Sequence, residues 1–460
     1  MFISNRLSAL DQFVFFGVLL VVCIYFFWIG HYSHQFPISE DVLSTVKPLL
    51  AFYSESGWAQ KYQALTFQHA EHRLISTRIA AILSIQLFDY INIRFLYFIG
   101  GFFVLAIIFL IVWQQWKTDT AHPVDLLVYS FLLLNPAYRT GSFAAWGISN
   151  FASLLLPFLA IYFLHRKGWP NFFIFLILMF LSLNTQGNGL LLIPIGIFYV
   201  LRHKGHQYIK KLTGLLIFSS LICFIYAQGF SDEGYLARGY RYFHDHSLEV
   251  ILFYLLAVIV WVGQWVIIPE QVMHQYQYPG VVLSLAVGSL ILLVGLWSAW
   301  KLRKNLDERY SIRIYMLFYV LATILGAAWN RSLIATSLNQ SSNLQDLWFV
   351  LDTRYTFYSL CLLVLILSLL ASLYRAEWKH NGETFPLVRR HAVLTLLLAL
   401  AFCLARYQEA IPAMTKERLT QERCIERWSQ GQQPKNCLWH GETGQVMGIA
   451  IERGLLKVGP

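Results

Sequence analysis

Apolar stretches of about 20 residues recur along nearly the whole chain, and no other feature restricts its fold as strongly. A helix that rises about 1.5 Å per residue needs about 20 residues to cross a hydrocarbon core about 30 Å thick. Of the 460 residues, 57% are apolar and only 13% are charged, whereas about a quarter are charged in an average soluble domain. The sequence therefore predicts an all-α fold, a polytopic transmembrane helical bundle.

Eleven of these stretches are predicted to span the membrane. Their predicted bounds are 13–31, 94–113, 124–138, 149–165, 171–186, 188–202, 212–229, 281–300, 314–329, 356–374 and 391–406. The first is predicted to be an uncleaved anchor, because it is long and lacks the small-residue cleavage site of a signal peptide. A twelfth stretch, 246–268, is followed by a segment without basic residues, so it is predicted to be a re-entrant or interfacial helix.

The basic residues lie in short clusters between the apolar stretches. With the amino terminus inside, and with Arg202 and Arg94 counted with the segments that they border, the interior segments carry 17 Lys and Arg residues, whereas the exterior loops before residue 407 carry 10 over a greater length. The positive-inside rule then predicts a cytoplasmic amino terminus and an exterior carboxyl terminus. Because the net charge of +10 is spread over these clusters, nucleic acid is not an expected partner.

Two parts are predicted along the chain. Residues 1–406 are predicted to form a transmembrane domain, and its first exterior loop, 32–93, is predicted to carry the first residues of a catalytic site. Residues 407–460 are predicted to form a small exterior tail. Cys424 and Cys437 lie in this tail and are predicted to form a disulfide on the oxidising side of the membrane, with two unpaired thiols as the alternative. The other four cysteines lie in apolar stretches and are predicted to be small apolar side chains.

The first exterior loop concentrates the titratable groups of a chain that is otherwise short of charge. Glu40 and Asp41 follow Pro37, which favours the start of a short helix. A carboxylate that is partly shielded from water has a raised pKa and can serve as a general base. The alternative is a solvated acidic pair at a helix start, where the helix dipole favours negative charge.

Later in the same loop, the run from His69 to Arg73 is rich in possible ligands. His69 and His72 are predicted to share a helix face, and Glu71 stands between them, so a divalent cation or a substrate phosphate could bind there. The spacing is not the His-Glu-x-x-His pattern of zinc proteases. Arg73 and Arg78 are candidates for phosphate contact, because cations beside a membrane-embedded site usually have an anionic partner. Contact with lipid headgroups is the alternative.

The last long exterior loop, 330–355, carries arginines at both ends. Arg331 and Arg354, the latter next to Tyr355, are predicted to lie near the membrane surface, where a guanidinium is costly unless it is paired. A phosphate diester or diphosphate would pair with it through two parallel hydrogen bonds. The alternative is that these arginine side chains extend to the membrane surface and contact lipid phosphate.

Taken together, an amino-terminal span, an acidic pair soon after it, arginines later in the loop, about eleven spans and a late Arg-Tyr pair resemble the C-type glycosyltransferase superfamily. These membrane enzymes use polyprenyl-phosphate-linked sugars, and some decorate O-antigen, lipopolysaccharide or other bacterial surface glycans. The resemblance implies an inverting transfer in which Asp41, beside Glu40, deprotonates the acceptor. It also implies that arginines hold the lipid phosphate, and the matching residues are Arg73, Arg78, Arg331 and Arg354, with Tyr355.

The chain departs from better-known members in two respects. Residues 407–460 are not expected to form a large soluble domain, and the second acidic motif of a later exterior loop is not clear, although Asp232 and Glu233 could stand in for it. Metal dependence and the class of acceptor therefore stay open, with a divalent metal ion as the candidate cofactor.

The expected function is that of a bacterial inner-membrane glycosyltransferase. It would move a sugar from a polyprenyl-phosphate donor to a surface glycan or lipid-linked acceptor on the exterior side, so its expected partners are donor, acceptor and membrane lipids. An O-antigen polymerase or ligase is one alternative, but its charge would lie in a long late loop. A transporter or flippase of lipid-linked sugars is another, but it would place polar residues near the middle of its spans.

Overall fold

The computed structural model describes residues 9–69, 72–118, 122–203, 207–228, 243–266, 277–302, 308–339, 355–381, 386–430 and 442–457. Within these ranges the chain is helical, and the only extended pairing is a single bridge between His69 and His72. The predicted all-α class is therefore confirmed for the described part of the chain.

Eighteen α-helices follow one another in this part of the chain. They are α1 Ala9–Tyr32, α2 Ser39–Asp41, α3 Lys47–Ser54, α4 Trp58–Leu65, α5 Ile75–Phe88, α6 Ile93–Lys117, α7 Pro123–Leu133, α8 Arg139–Ser142, α9 Gly147–Leu164, α10 Trp169–Thr185, α11 Leu192–Arg202, α12 Tyr208–Ala227, α13 Ser247–Gly263, α14 Gln277–Leu302, α15 Glu308–Asn339, α16 Thr356–Asn381, α17 Pro386–Ser429 and α18 Glu442–Glu452. A π-helical turn, Val42–Val46, joins α2 to α3, and 3₁₀ turns occupy Pro136–Tyr138, Gly187–Leu191 and Gln264–Val266.

Nine of the described helices are long and apolar enough to cross a membrane, so the chain is a multi-pass membrane protein. Eight of them fall on predicted spans. The ninth, Ser247–Val266, falls on the stretch predicted to be re-entrant, and it is a continuous helix followed by one 3₁₀ turn. The remaining predicted spans, 124–138, 171–186 and 188–202, fall on the shorter helices α7, α10 and α11, so the predicted number of eleven is not established.

The shortness of α7 has a local cause. Its helix ends at Leu133, and Pro136 follows after two residues. Proline has no N–H to continue a helix and disfavours the helical conformation in the residue before it. Asn135 instead accepts a hydrogen bond from the Ala137 N–H at 2.8 Å and so starts the next 3₁₀ turn.

Helices α9 and α16 lie at the centre of the bundle, since 78% of the apolar window of each is buried. By contrast, α1, α12, α14 and α17 leave most of their apolar windows uncovered, as expected of helices that face lipid. Helices α13 and α14 pack closely against each other at two glycines. A Cβ atom on Gly263 would lie 2.0 Å from the Ser284 carbonyl oxygen, and one on Gly288 would lie 1.9 Å from that of Ile259.

The segment between α1 and α6 contains the short helices α2 to α5, and the carboxyl-terminal helix packs against it. Helix α18 lies on the π turn Val42–Val46, and Lys47 forms an ion pair with Glu442 at 2.6 Å. Helix α17 runs without a break through the predicted domain boundary at residue 406. Cys424, near its end, is disulfide-bonded, whereas Cys437 lies outside the described residues.

Candidate functional site

A cavity of about 350 Å³ opens between the end of α10, helix α13, the second half of α15 and the start of α16. Its described lining combines one guanidinium, one imidazole, three amide side chains and several aromatic rings. The described lining residues are His72, Gln186, Gly187, Asn188, Leu190, Leu191, Trp261, Ala322, Thr323, Ile324, Gly326, Ala327, Trp329, Asn330, Arg331, Tyr355 and Tyr358. An apolar cavity with a few converging polar groups is the usual form of a small-molecule site.

Arg331 supplies the positive charge of this cavity and is held against an aromatic stack. Its guanidinium carbon lies 5.5 Å from the centre of the Tyr355 ring, and its Nη2 lies 3.4 Å from the Tyr355 hydroxyl. Tyr355 in turn stacks on Trp261 with ring centres 4.6 Å apart. A guanidinium in the wall of a cavity suits an anionic ligand.

Gln186, another lining residue, is fixed by a buried hydrogen-bond network. Its Oε1 accepts from the Tyr358 hydroxyl at 2.9 Å, and its Nε2 donates to Asn150 Oδ1 at 2.5 Å. The Ser153 hydroxyl lies 2.6 Å from that of Tyr358 and donates to the Asn150 carbonyl at 2.7 Å. Because these partners are buried, the Gln186 amide is held in one orientation.

His72 enters the cavity from the segment that follows α4. The helix predicted for His69 and His72 is wrong, because the two residues face each other across a tight bridge. The His69 N–H donates to the His72 carbonyl at 2.7 Å, and the His72 N–H donates to the His69 carbonyl at 3.0 Å. Helix α5 begins only after Leu74, whose φ of 52° lies in the left-handed region. Glu71 lies outside the described residues.

Arg73 and Arg78, which were predicted to contact phosphate, hold this segment in place. Arg73 is buried and donates to the carbonyls of Tyr226 at 2.6 Å and Gln228 at 2.7 Å. Neither arginine is among the described residues that line the cavity.

Arg78 is fully buried, and all its guanidinium nitrogens donate to backbone carbonyls. The acceptors are Ser44 at 3.0 and 2.9 Å, Leu65 at 2.7 Å, Phe67 at 2.7 Å and Arg73 at 2.6 Å. Burial lowers the pKa of Arg78 to about 9. In this arrangement Arg78 binds the loop backbone, not a ligand.

Asp41 lies outside the cavity and is fully buried. Its Oδ1 accepts from the Trp146 N–H at 3.0 Å, and its Oδ2 accepts from the Ile38 N–H at 3.3 Å. Burial raises the pKa of Asp41 to about 7, with a smaller contribution from the charge of Glu40. Glu40 itself lies 3.8 Å from His69 Nε2.

Tyr355 and Arg354 are the last two predicted contacts of the donor phosphate. Tyr355 lines the cavity, whereas Arg354 lies outside the described residues. No group of three His, Cys, Asp or Glu side chains that could hold a metal ion occurs among the described residues.

Sequence reasoning missed Gln186, Asn188 and Trp261 as lining residues. The polar run Asn184–Gly189 between two apolar stretches was the available signal for the amides, whereas nothing in the sequence distinguishes Trp261 from other tryptophans of an interface belt. No protein-family model matches the chain, and no curated protein matches it significantly.

Proposed function

We propose that this multi-pass membrane protein is a glycosyltransferase that uses a polyprenyl-phosphate-linked sugar as donor. The observation that supports this most is the meeting of Arg331, the Gln186 and Asn188 amides and the Trp261–Tyr355 stack in one cavity of a membrane helix bundle. A guanidinium suits the donor phosphate, and the amides and rings suit the sugar. The enclosing apolar helices suit the isoprenoid tail.

In the proposed reaction, an acceptor hydroxyl oxygen bonds to the anomeric carbon of the sugar. The bond from that carbon to the phosphate oxygen breaks, and its electron pair leaves with the lipid phosphate. Arg331 would stabilise the charge that develops on this leaving group. The hydroxyl proton would pass to the imidazole of His72, which lines the cavity.

In the proposed reaction the general base is His72 and not Asp41, the residue that the sequence predicts. A general base must come within hydrogen-bond reach of the proton that it accepts. Asp41 is fully buried and uses its two oxygens for the backbone N–H groups of Trp146 and Ile38. We therefore assign to Asp41 the positioning of the first loop against the start of α9.

The test measures binding of undecaprenyl phosphate and undecaprenyl-phosphate-glucose to the purified protein in nanodiscs. Arg331→Gln is expected to weaken both lipids by about 10- to 100-fold, because it removes a charge-assisted bidentate contact. Arg166→Gln is the matched control, since Arg166 is exposed and contacts the Tyr162 hydroxyl away from the cavity. Absence of binding to the unmodified protein, or equal binding by Arg331→Gln, would overturn the proposal.

A further inference from the structure

Asn188 lines the cavity with a polar atom that has no partner. Its Oδ1 is buried without a hydrogen bond, while its Nδ2 makes only a long contact of 3.5 Å to Thr323 Oγ1. A buried oxygen without a hydrogen-bond donor is destabilising, so most such atoms in native proteins have a partner. A ligand that donates a hydrogen bond in this cavity would supply the missing partner.

The backbone around Asn188 is shaped by close packing. A Cβ atom on Gly189 would lie 2.3 Å from the Leu183 nitrogen, so the 3₁₀ turn Gly187–Leu191 can fold back on α10 only with glycine there. A Cβ atom on Gly187 would lie 3.3 Å from the Tyr226 hydroxyl. The turn therefore holds Asn188 in a fixed place on the cavity wall, two residues from Gln186.

The Gln186 and Asn188 amides differ in the hydrogen-bonding groups that are available to a ligand. Gln186 has bonds to Tyr358 and Asn150, but an amide carries two N–H donors and two lone pairs on oxygen, so one donor and one lone pair stay available. Asn188 offers an acceptor. Ionised phosphate oxygens only accept hydrogen bonds and cannot satisfy Asn188 Oδ1, whereas a hydroxyl both donates and accepts.

We infer that Asn188 and Gln186 form a hydroxyl-binding subsite that recognises the sugar of the donor, separate from the phosphate contact of Arg331. A sugar hydroxyl donates to Asn188 Oδ1, and the free N–H of Gln186 donates to a hydroxyl of the same ring. A cavity of about 350 Å³ suits one monosaccharide. This inference rests on the proposed function, and it names the part of the donor that these amides select.

The experiment compares two kinds of ligand, with and without a sugar, on three variants in nanodiscs. Undecaprenyl-phosphate glucose, galactose and mannose probe the sugar, and undecaprenyl phosphate probes the lipid phosphate alone. Asn188→Leu is expected to weaken the preferred sugar lipid by about tenfold or more, because a buried hydroxyl loses its acceptor. Affinity for undecaprenyl phosphate is expected to stay unchanged, and Asn188→Ser, which keeps an acceptor oxygen without adding a charge, is expected to retain more of the affinity for the sugar lipid than Asn188→Leu does.

Asn184→Leu is the matched control. Asn184 lies on the same polar run and its Oδ1 also lacks a partner, but it is not among the described residues that line the cavity. Equal weakening of both ligands by Asn188→Leu, or no weakening of any sugar lipid, would overturn the subsite while leaving the proposed function standing. If the unmodified protein binds neither ligand, the proposed function falls, and the subsite falls with it.

Discussion

At the scale of single residues, the first loop shows how burial decides what a charged group does. Asp41 and Arg78 both come from the polar loop that the sequence marks as the start of a site, yet each is fully buried and bonded to backbone. The sequence predicts that such groups concentrate in the loop. It cannot predict that the partners of Arg78 are carbonyls as distant in the chain as Ser44, because a guanidinium fits a carbonyl cluster and a phosphate equally well.

Asp41 makes stability depend on pH. Its pKa is raised from 3.8 to about 7 by burial, so between about pH 4 and pH 7 the folded protein binds more protons than the unfolded chain. The contribution of Asp41 to stability is therefore expected to fall as the pH rises through this window, by at most about 4 kcal/mol, and then to level off. Burial lowers the pKa of His34 to about 4, which acts in the opposite direction over the same window. The contribution of Asp41 is therefore measured as the difference in unfolding midpoint between the unmodified protein and Asp41→Asn in a thermal series from pH 4 to pH 8.

The variant Asp41→Asn is expected to lack the Asp41 contribution, because it has no carboxyl to ionise. Asp89→Asn is the control, since Asp89 is exposed at the end of α5. If Asp41→Asn and the unmodified protein keep parallel curves across the window, the buried ionisation of Asp41 is not the cause.

At the scale of elements, the sequence predicts the cores of helices well, where one hydrophobic pattern continues, and predicts poorly where a helix begins or ends. The cores of α6 and α9 coincide with predicted spans. Local contacts set the ends: Asn92 accepts from the Phe95 N–H to begin α6, and the bridge between His69 and His72 replaces a predicted helix. Periodicity carries no signal for a two-residue bridge, so that error could not have been avoided from the pattern alone.

The close glycine contact between α13 and α14 gives a prediction at this scale. Gly288→Ala would place a Cβ atom 1.9 Å from the Ile259 carbonyl oxygen, so α13 and α14 must move apart and lose close packing. We expect a loss of about 1–3 kcal/mol, measured as a lower unfolding midpoint in detergent. Gly326→Ala is the control, because a Cβ atom there meets nothing within 4 Å; a similar loss in both variants would contradict a contact-specific effect.

At the scale of the whole molecule, composition alone predicts a multi-pass membrane protein, and the described helices agree. The cavity was less predictable. Its lining comes from the first loop, the end of α10, and helices α13, α15 and α16, and the sequence gives no measure of how such distant segments meet. Of the predicted cations, Arg331 lines this cavity, whereas Arg73 and Arg78 are used to build the loop that carries His72.

Helix α18 packs against the first loop, and its buried apolar side chains are expected to stabilise this contact more than its ion pair does. Met447 is buried in α18 against the core, so Met447→Ala should cost about 2–4 kcal/mol. The ion pair of Glu442 with Lys47 is largely exposed, so Glu442→Gln should cost less than about 1 kcal/mol. Hydrogen exchange of the amides in 42–54 reports the contact directly. Faster exchange in Met447→Ala, with little change in Glu442→Gln, is the expected result, and the reverse order would mean that the ion pair, not the packed face of α18, holds the two ends together.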